Sequence, residues 1–123
     1  MKRILIINGP NLNMLGLREP EIYGRESYED LVKYCEDKAL PEFYQSNHEG
    51  SIIDEIQKAR GVFDGIILNA GGYTHTSVAI ADAVSAAGVP TVEVHISDIQ
   101  KRESFRRHSY LTAVCKSDNG SRL

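Results

Sequence analysis

The chain has 123 residues, 41% hydrophobic and 25% charged, a balance that suits one globular domain with a single core. Fourteen basic residues against seventeen acidic ones give a net charge of −3, which argues against a nucleic-acid or membrane-surface binder but leaves room for a local cationic pocket. Cys35 and Cys115 form neither a disulfide framework nor metal-ligand spacing, and no apolar run approaches the ~18 residues of a membrane span. The expected setting is a reducing cytoplasm.

The order of elements follows from hydrophobic periodicity. Residues 3–7 form an apolar β-branched run that Asn8-Gly9-Pro10-Asn11 ends. A polar, Gly-containing loop covers 8–26. A helix then starts at Ser27, with Asp30 as a capping-box partner and Tyr28, Leu31, Val32, Cys35 and Ala39 on one face. A short second strand follows over 42–46, behind Pro41. A second helix covers 50–59, with Ile52, Ile53 and Ile56 inward. The third strand is 65–69, broken by Gly71-Gly72, and a third helix covers 77–87, stopped by Gly88. Pro90 opens a fourth strand over 91–96. Ser97 caps a short polar helix reaching 107, and 109–114 reads as a weaker fifth strand. The domain is expected to span 1–115, with 116–123 a polar, disordered tail.

Strands alternating with helices predict an α/β class protein, a flavodoxin-like three-layer fold with a parallel sheet of four to five strands. Ligands of such sheets bind beyond the carboxyl ends of the strands. That rule selects the loops after Ile7, Leu68 and His95, which carry the unusual polar residues: Asn11, Asn13, Arg18 and Tyr23; Asn69, Tyr73 and His75; and Glu93, His95 and Ser97. Amides, imidazoles, an arginine and a phenol suit a polyhydroxylated acid. There is no phosphate-binding loop and no dinucleotide glycine fingerprint. Taken singly, each residue has a plainer reading. Tyr23 can pack on the surface, His95 can be a structural histidine, and Asn11 can satisfy loop backbone. Glu93 and His95, two apart on a strand, share a face.

Six blocks give a more specific indication: Asn8-Gly-Pro-Asn-Leu-Asn-Met-Leu-Gly16, Arg18-Glu-Pro-Glu-Ile-Tyr-Gly24, Gln45-Ser-Asn-His-Glu-Gly50, Tyr73-Thr-His-Thr-Ser-Val78, Val92-Glu-Val-His-Ile-Ser97 and Phe105-Arg-Arg-His-Ser-Tyr110. In this order they resemble the type II 3-dehydroquinate dehydratases, over about residues 2 to 112. The resemblance implies a lyase that converts 3-dehydroquinate to 3-dehydroshikimate by anti elimination through an enolate, in the shikimate pathway or in quinate catabolism. It implies no cofactor and no metal. Tyr23 would take the C2 proton, with Arg18 favouring its phenolate. Tyrosine titrates near ~10, so neutrality requires a shift of about 3 units, roughly 4 kcal/mol. One cation at ~4 Å contributes about that much at an effective dielectric near 20.

Asn11 would hydrogen-bond the enolate oxygen. His95 would protonate the leaving hydroxyl, oriented by Glu93 and Asn69. The amides of Ile96 and Ser97 would hold the substrate carboxylate. His75 and Arg106 match positions that bind ring hydroxyls. Asp82 matches a residue that reaches a neighbouring subunit's site, in a family that assembles trimers into dodecamers. Gln45 to Gly50 is given no chemistry, only helix positioning and oligomer contacts. The family continues past its last block into a terminal helix. Here Val114-Cys115 gives way to polar residues, so that helix is expected to be missing. The runner-up reading of the same residues is a non-catalytic flavodoxin-like module that binds a small polyhydroxy acid or a partner protein.

Overall fold

The structure is a computed structural model that describes residues 2–14, 40–95, 103–106 and 108–117. The loop beyond residue 14, the predicted first helix, and residues 118 onward lie outside the described residues. Among the described residues no helix is long and apolar enough to cross a membrane.

Five parallel strands form one sheet: β1 Arg3–Asn8, β2 Leu40–Gln45, β3 Gly65–Asn69, β4 Thr91–Glu93 and β5 Lys116–Ser117. Their order across the sheet is β2-β1-β3-β4-β5, the flavodoxin-like order, with its switch point between β1 and β3. Asn8, at the end of β1, is in register with Gln45 on one side and Asn69 on the other. Three amide side chains therefore line up where such sheets bind ligands.

Alternation along β1 sends Leu5 and Ile7 to one face. There they join Ile66 and Leu68 of β3 in a buried cluster. Helices α1 (Glu49–Ala59) and α2 (Val78–Ala87) cover that face with Ile52, Ile56 and Ala59, and with Ile80, Ala83, Val84 and Ala87. Ile53, expected inward, is only partly buried. Both ends of α2 carry the signals its sequence supplies. Ser77 is the N-cap: its Oγ accepts from the Ile80 N–H at 2.9 Å and donates to Glu49 Oε2 at 2.5 Å, which ties the starts of α1 and α2 together. Gly88 closes the helix at φ 70°, and the Arg60 guanidinium donates to the Ala87 carbonyl at 3.1 Å.

Several expectations change. The fourth strand ends at Glu93 rather than at residue 96, although the Val94 N–H still donates to the Leu68 carbonyl at 3.0 Å. The described part of the predicted polar helix is a single 3-10 turn, Ser104–Arg106. The segment 109–114 is not a strand. The Ser109 hydroxyl accepts from the Leu111 N–H at 3.1 Å, and the Leu111 carbonyl then accepts from Val114 and Cys115 at 3.0 and 2.8 Å. This local bonding competes with a sheet ladder and folds the chain into turns around the fully buried Leu111. The fifth strand comes just afterwards, inside the segment expected to be a disordered tail from 116: Lys116 and Ser117 pair with Val92 and Glu93, so the domain extends past 115.

The β1 and β3 loops interlock. Gly9 donates its N–H to the Asn69 carbonyl at 2.7 Å, and a Cβ at Gly9 would lie 2.5 Å from the Ala70 oxygen. Gly71, at φ 60°, passes against Pro10. Backbone on both sides leaves nothing that can move cheaply. Gly9→Ala is therefore expected to cost about 1–3 kcal/mol, the usual penalty of overpacking, read as a lowered urea midpoint with an unchanged slope.

Candidate active site

The centre of the site is a buried carboxylate–imidazole pair. The Glu93 side chain is 4% exposed and that of His95 10%. The His95 Nε2 lies 2.6 Å from Glu93 Oε2. As the partner of a carboxylate, Nε2 carries a proton, so Nδ1 is the ring nitrogen that Glu93 does not engage. Two hydroxyls complete the carboxylate's shell: Ser109 Oγ donates to Oε2 at 2.6 Å and Thr112 Oγ1 to Oε1 at 3.0 Å. Burial pushes the Glu93 carboxyl up, but hydrogen bonds from His95 and Ser109, the charge of His95 and the Thr112 hydroxyl outweigh it. The group sits below its ordinary value. Burial and the same negative charge push the Cys115 thiol up to about 12, which makes it a poor nucleophile.

The β1 loop presents Asn11. This residue has φ 69°, a left-handed conformation that asparagine tolerates. Its N–H donates to Asn47 Oδ1 at 3.0 Å. The Gln45 amide donates to the Gly9 carbonyl at 3.1 Å, to Asn47 Oδ1 at 3.2 Å and towards Asn13 Oδ1 at 3.4 Å. The Tyr73 hydroxyl reaches the Asn47 carbonyl at 3.1 Å. Gln45 and Asn47, given no chemistry on sequence grounds, are thus the braces of the Asn11 turn.

The β3 loop presents His75 from the 3-10 turn Gly71–His75. Its Nδ1 lies 2.7 Å from the His108 carbonyl. A carbonyl can only accept, so Nδ1 carries the proton, and in a neutral ring Nε2 is an acceptor suited to a hydroxyl. The Tyr110 N–H donates to the Thr74 carbonyl at 3.0 Å, so the β3 loop and the 108–112 segment are joined twice. Asn8 Nδ2 and Thr74 Oγ1 are buried without a hydrogen-bond partner among the described residues.

Asn11, Asn69, His75, Glu93 and His95 all lie at the carboxyl end of the sheet. Asn69 is oriented differently from expectation. Its Oδ1 accepts from the Gly71 N–H at 3.2 Å and shapes the turn, while Glu93 holds His95. Asp82 lies exposed on α2, and Arg106 closes its 3-10 turn. Tyr23, Arg18, Ile96 and Ser97 lie outside the described residues. Ser109 and Thr112 escaped the sequence reading because a strand pattern was assigned to them. Their spacing of three was the available signal, since it puts two hydroxyls on one side of a turn but on opposite faces of a strand.

This architecture defines a class of enzyme, and comparison with known proteins names it. Residues 2–119 match the family model described as dehydroquinase class II. The chain is 56% identical over 117 residues to 3-dehydroquinate dehydratase 1 of Corynebacterium efficiens, covering 91% of this chain and 78% of that one. It is 57% identical over 121 residues to the 3-dehydroquinate dehydratase of Fusobacterium nucleatum, covering 92% and 82%. The crystal structure of the type II dehydroquinase from Butyrivibrio crossotus superposes with a TM-score of 0.88 at 50% identity, over 97% of this chain and 89% of that one. The chain belongs to the class II dehydroquinase family.

The depressed Glu93 carboxyl links stability to pH. A lowered folded-state value means stability that is fully present above the unfolded value of ~4.3 and lost as pH falls through the folded one. The stability gap between the parent and Glu93→Gln should therefore be widest above about pH 5 and close on further acidification, as read from urea midpoints across that range.

Proposed function

We propose that this protein dehydrates 3-dehydroquinate to 3-dehydroshikimate by anti elimination through an enolate. Tyr23 removes the C2 proton as a phenolate favoured by Arg18. The electron pair passes into the carbonyl to give the enolate, which Asn11 stabilises through a hydrogen bond. Collapse of the enolate expels the C1 hydroxyl, to which His95 gives a proton. The amides of Ile96 and Ser97 hold the carboxylate, and His75 and Arg106 hold ring hydroxyls.

The observation that carries this reading is the buried Glu93–His95 pair at the carboxyl end of β4. An imidazole backed by a carboxylate can hold a proton for transfer and recover it afterwards. His75, anchored through Nδ1 on the His108 carbonyl, lies at the same end of the sheet, which supports a role in holding a ring hydroxyl. We further assign the protein to the cytoplasm and to a homo-oligomer, trimers assembling into a dodecamer, in which Asp82 reaches a neighbouring subunit's site. Exposure of Asp82 on α2 is compatible with that role.

Added 3-dehydroquinate should produce a growing absorbance from the conjugated product. Tyr23→Phe should lower kcat by about 10³-fold or more, towards the upper range of a lost general base. It should leave binding of the substrate measurable by calorimetry. Normal turnover by Tyr23→Phe would remove the phenol from the mechanism. Light scattering should give a solution mass several times the 13.7 kDa of one chain, and a monomer with full activity would exclude the assignment to Asp82.

A further inference from the structure

We propose that Ser109 and Thr112 are positioning residues of the acid: together they clamp the Glu93 carboxylate so that its hold on His95 has one geometry. This rests on the reading of His95 as proton donor and adds to it a part of the machinery supplied by another segment of the chain.

The clamp uses both carboxylate oxygens. Oε2 receives the His95 Nε2 proton and the Ser109 hydroxyl, both at 2.6 Å, and Oε1 receives the Thr112 hydroxyl at 3.0 Å. Rotation of the carboxylate about its last bond would break all three at once. The direction of the Ser109 proton is also set. Its oxygen accepts from the Leu111 N–H at 3.1 Å, which leaves the O–H to point at Glu93. The order of bonds is thus backbone amide, hydroxyl, carboxylate, imidazole.

The clamp stands on rigid ground. Leu111, between the two hydroxyl residues, is fully buried in the core cluster. The Tyr110 N–H is held by the Thr74 carbonyl, and the Leu111 carbonyl accepts twice from the turn that follows. Neither hydroxyl residue contributes to the apolar core. Donors on both oxygens also favour the anionic form of the carboxylate.

The test is a pair of hydroxyl deletions with rescue. Ser109→Ala and Thr112→Val should each lower kcat by about 10-fold to 100-fold, the scale for groups that orient a reacting residue through one intermediate, with KM changed less than about threefold. Thr112→Ser, which keeps the hydroxyl, should retain the parent kcat. In a Glu93→Gln background, Ser109→Ala should cost less than about twofold more, because the group it holds is already gone. Independently of turnover, the low-field Nε2 proton of His95 in the NMR spectrum should broaden into exchange with water in Ser109→Ala and Thr112→Val but not in Thr112→Ser. Parent-like kcat in both deletions, or losses that simply multiply in the Glu93→Gln background, would overturn the proposal. If the parent fails to turn over 3-dehydroquinate, the reading of the reaction falls. The His95 signal then decides the clamp by itself, and an unchanged resonance in both deletions refutes it. Thr112 is exposed, so Thr112→Val remains informative even if Ser109→Ala fails to fold.

Discussion

An ionised carboxylate removed from water without partners costs several kcal/mol, and a protein that buries one must bring donors to it. Glu93 carries that cost in this fold. It ends β4 on the inside of the sheet, and its three donors come from His95, two residues ahead, and from Ser109 and Thr112, far ahead in the chain. Meeting them constrains the route of the backbone. The segment after the 3-10 turn has to return to the end of β4, expose two hydroxyls towards it, and only then pair as β5 beside Val92 and Glu93. The last described strand and the bonding around Glu93 thus share one route of the chain.

The same end of the sheet is fixed from the other side by contact between glycines and backbone. Gly9 lies against Ala70 at a separation that admits no side chain, and Gly71 passes close to Pro10 at a positive φ. The described parts of the two loops at the switch point are therefore packed as one body. That body carries Asn11 and His75, and its coupling to the 108–112 segment through Thr74 and His75 extends it to the ring around Glu93. Under the proposed elimination, preorganisation of this kind matters more than it does for simple binding. A proton donor or an enolate-stabilising amide displaced by an ångström loses much of its advantage.

What the sequence disclosed, and what it did not, follows from the range of the interactions involved. The third strand and the end of the third helix are read correctly because local signals settle them: Gly65 to Asn69 is an apolar run between breakers, and Gly88 adopts the left-handed cap that its residue type favours. The pairing of Glu93 with His95 is legible because a spacing of two on a strand is a short-range geometric fact. By contrast, alternation in 109–114 suggested a strand because nothing local reveals that Ser109 and Thr112 answer to a carboxylate sixteen and nineteen residues earlier. Gln45 and Asn47 were missed for the same reason. Their amides act on Gly9, Asn11 and Asn13 across the sheet edge, more than thirty positions away.

The hydrogen-bond economy of Glu93 also separates a catalyst from a receptor on this fold. A site built only to recognise a polyhydroxylated acid would spend its buried acceptors on ligand hydroxyls, aiming carboxylate lone pairs into the pocket. Of the roughly four lone-pair sites on a carboxylate, Glu93 commits three to groups of its own protein, leaving little capacity for a ligand. What it can offer is indirect: a fixed negative charge behind an imidazole. That charge stands behind the ring without itself facing a ligand. Such an arrangement is costly to fold and adds almost nothing to affinity. Its benefit appears when a proton must be held ready and given up, which is the demand of losing hydroxide as water.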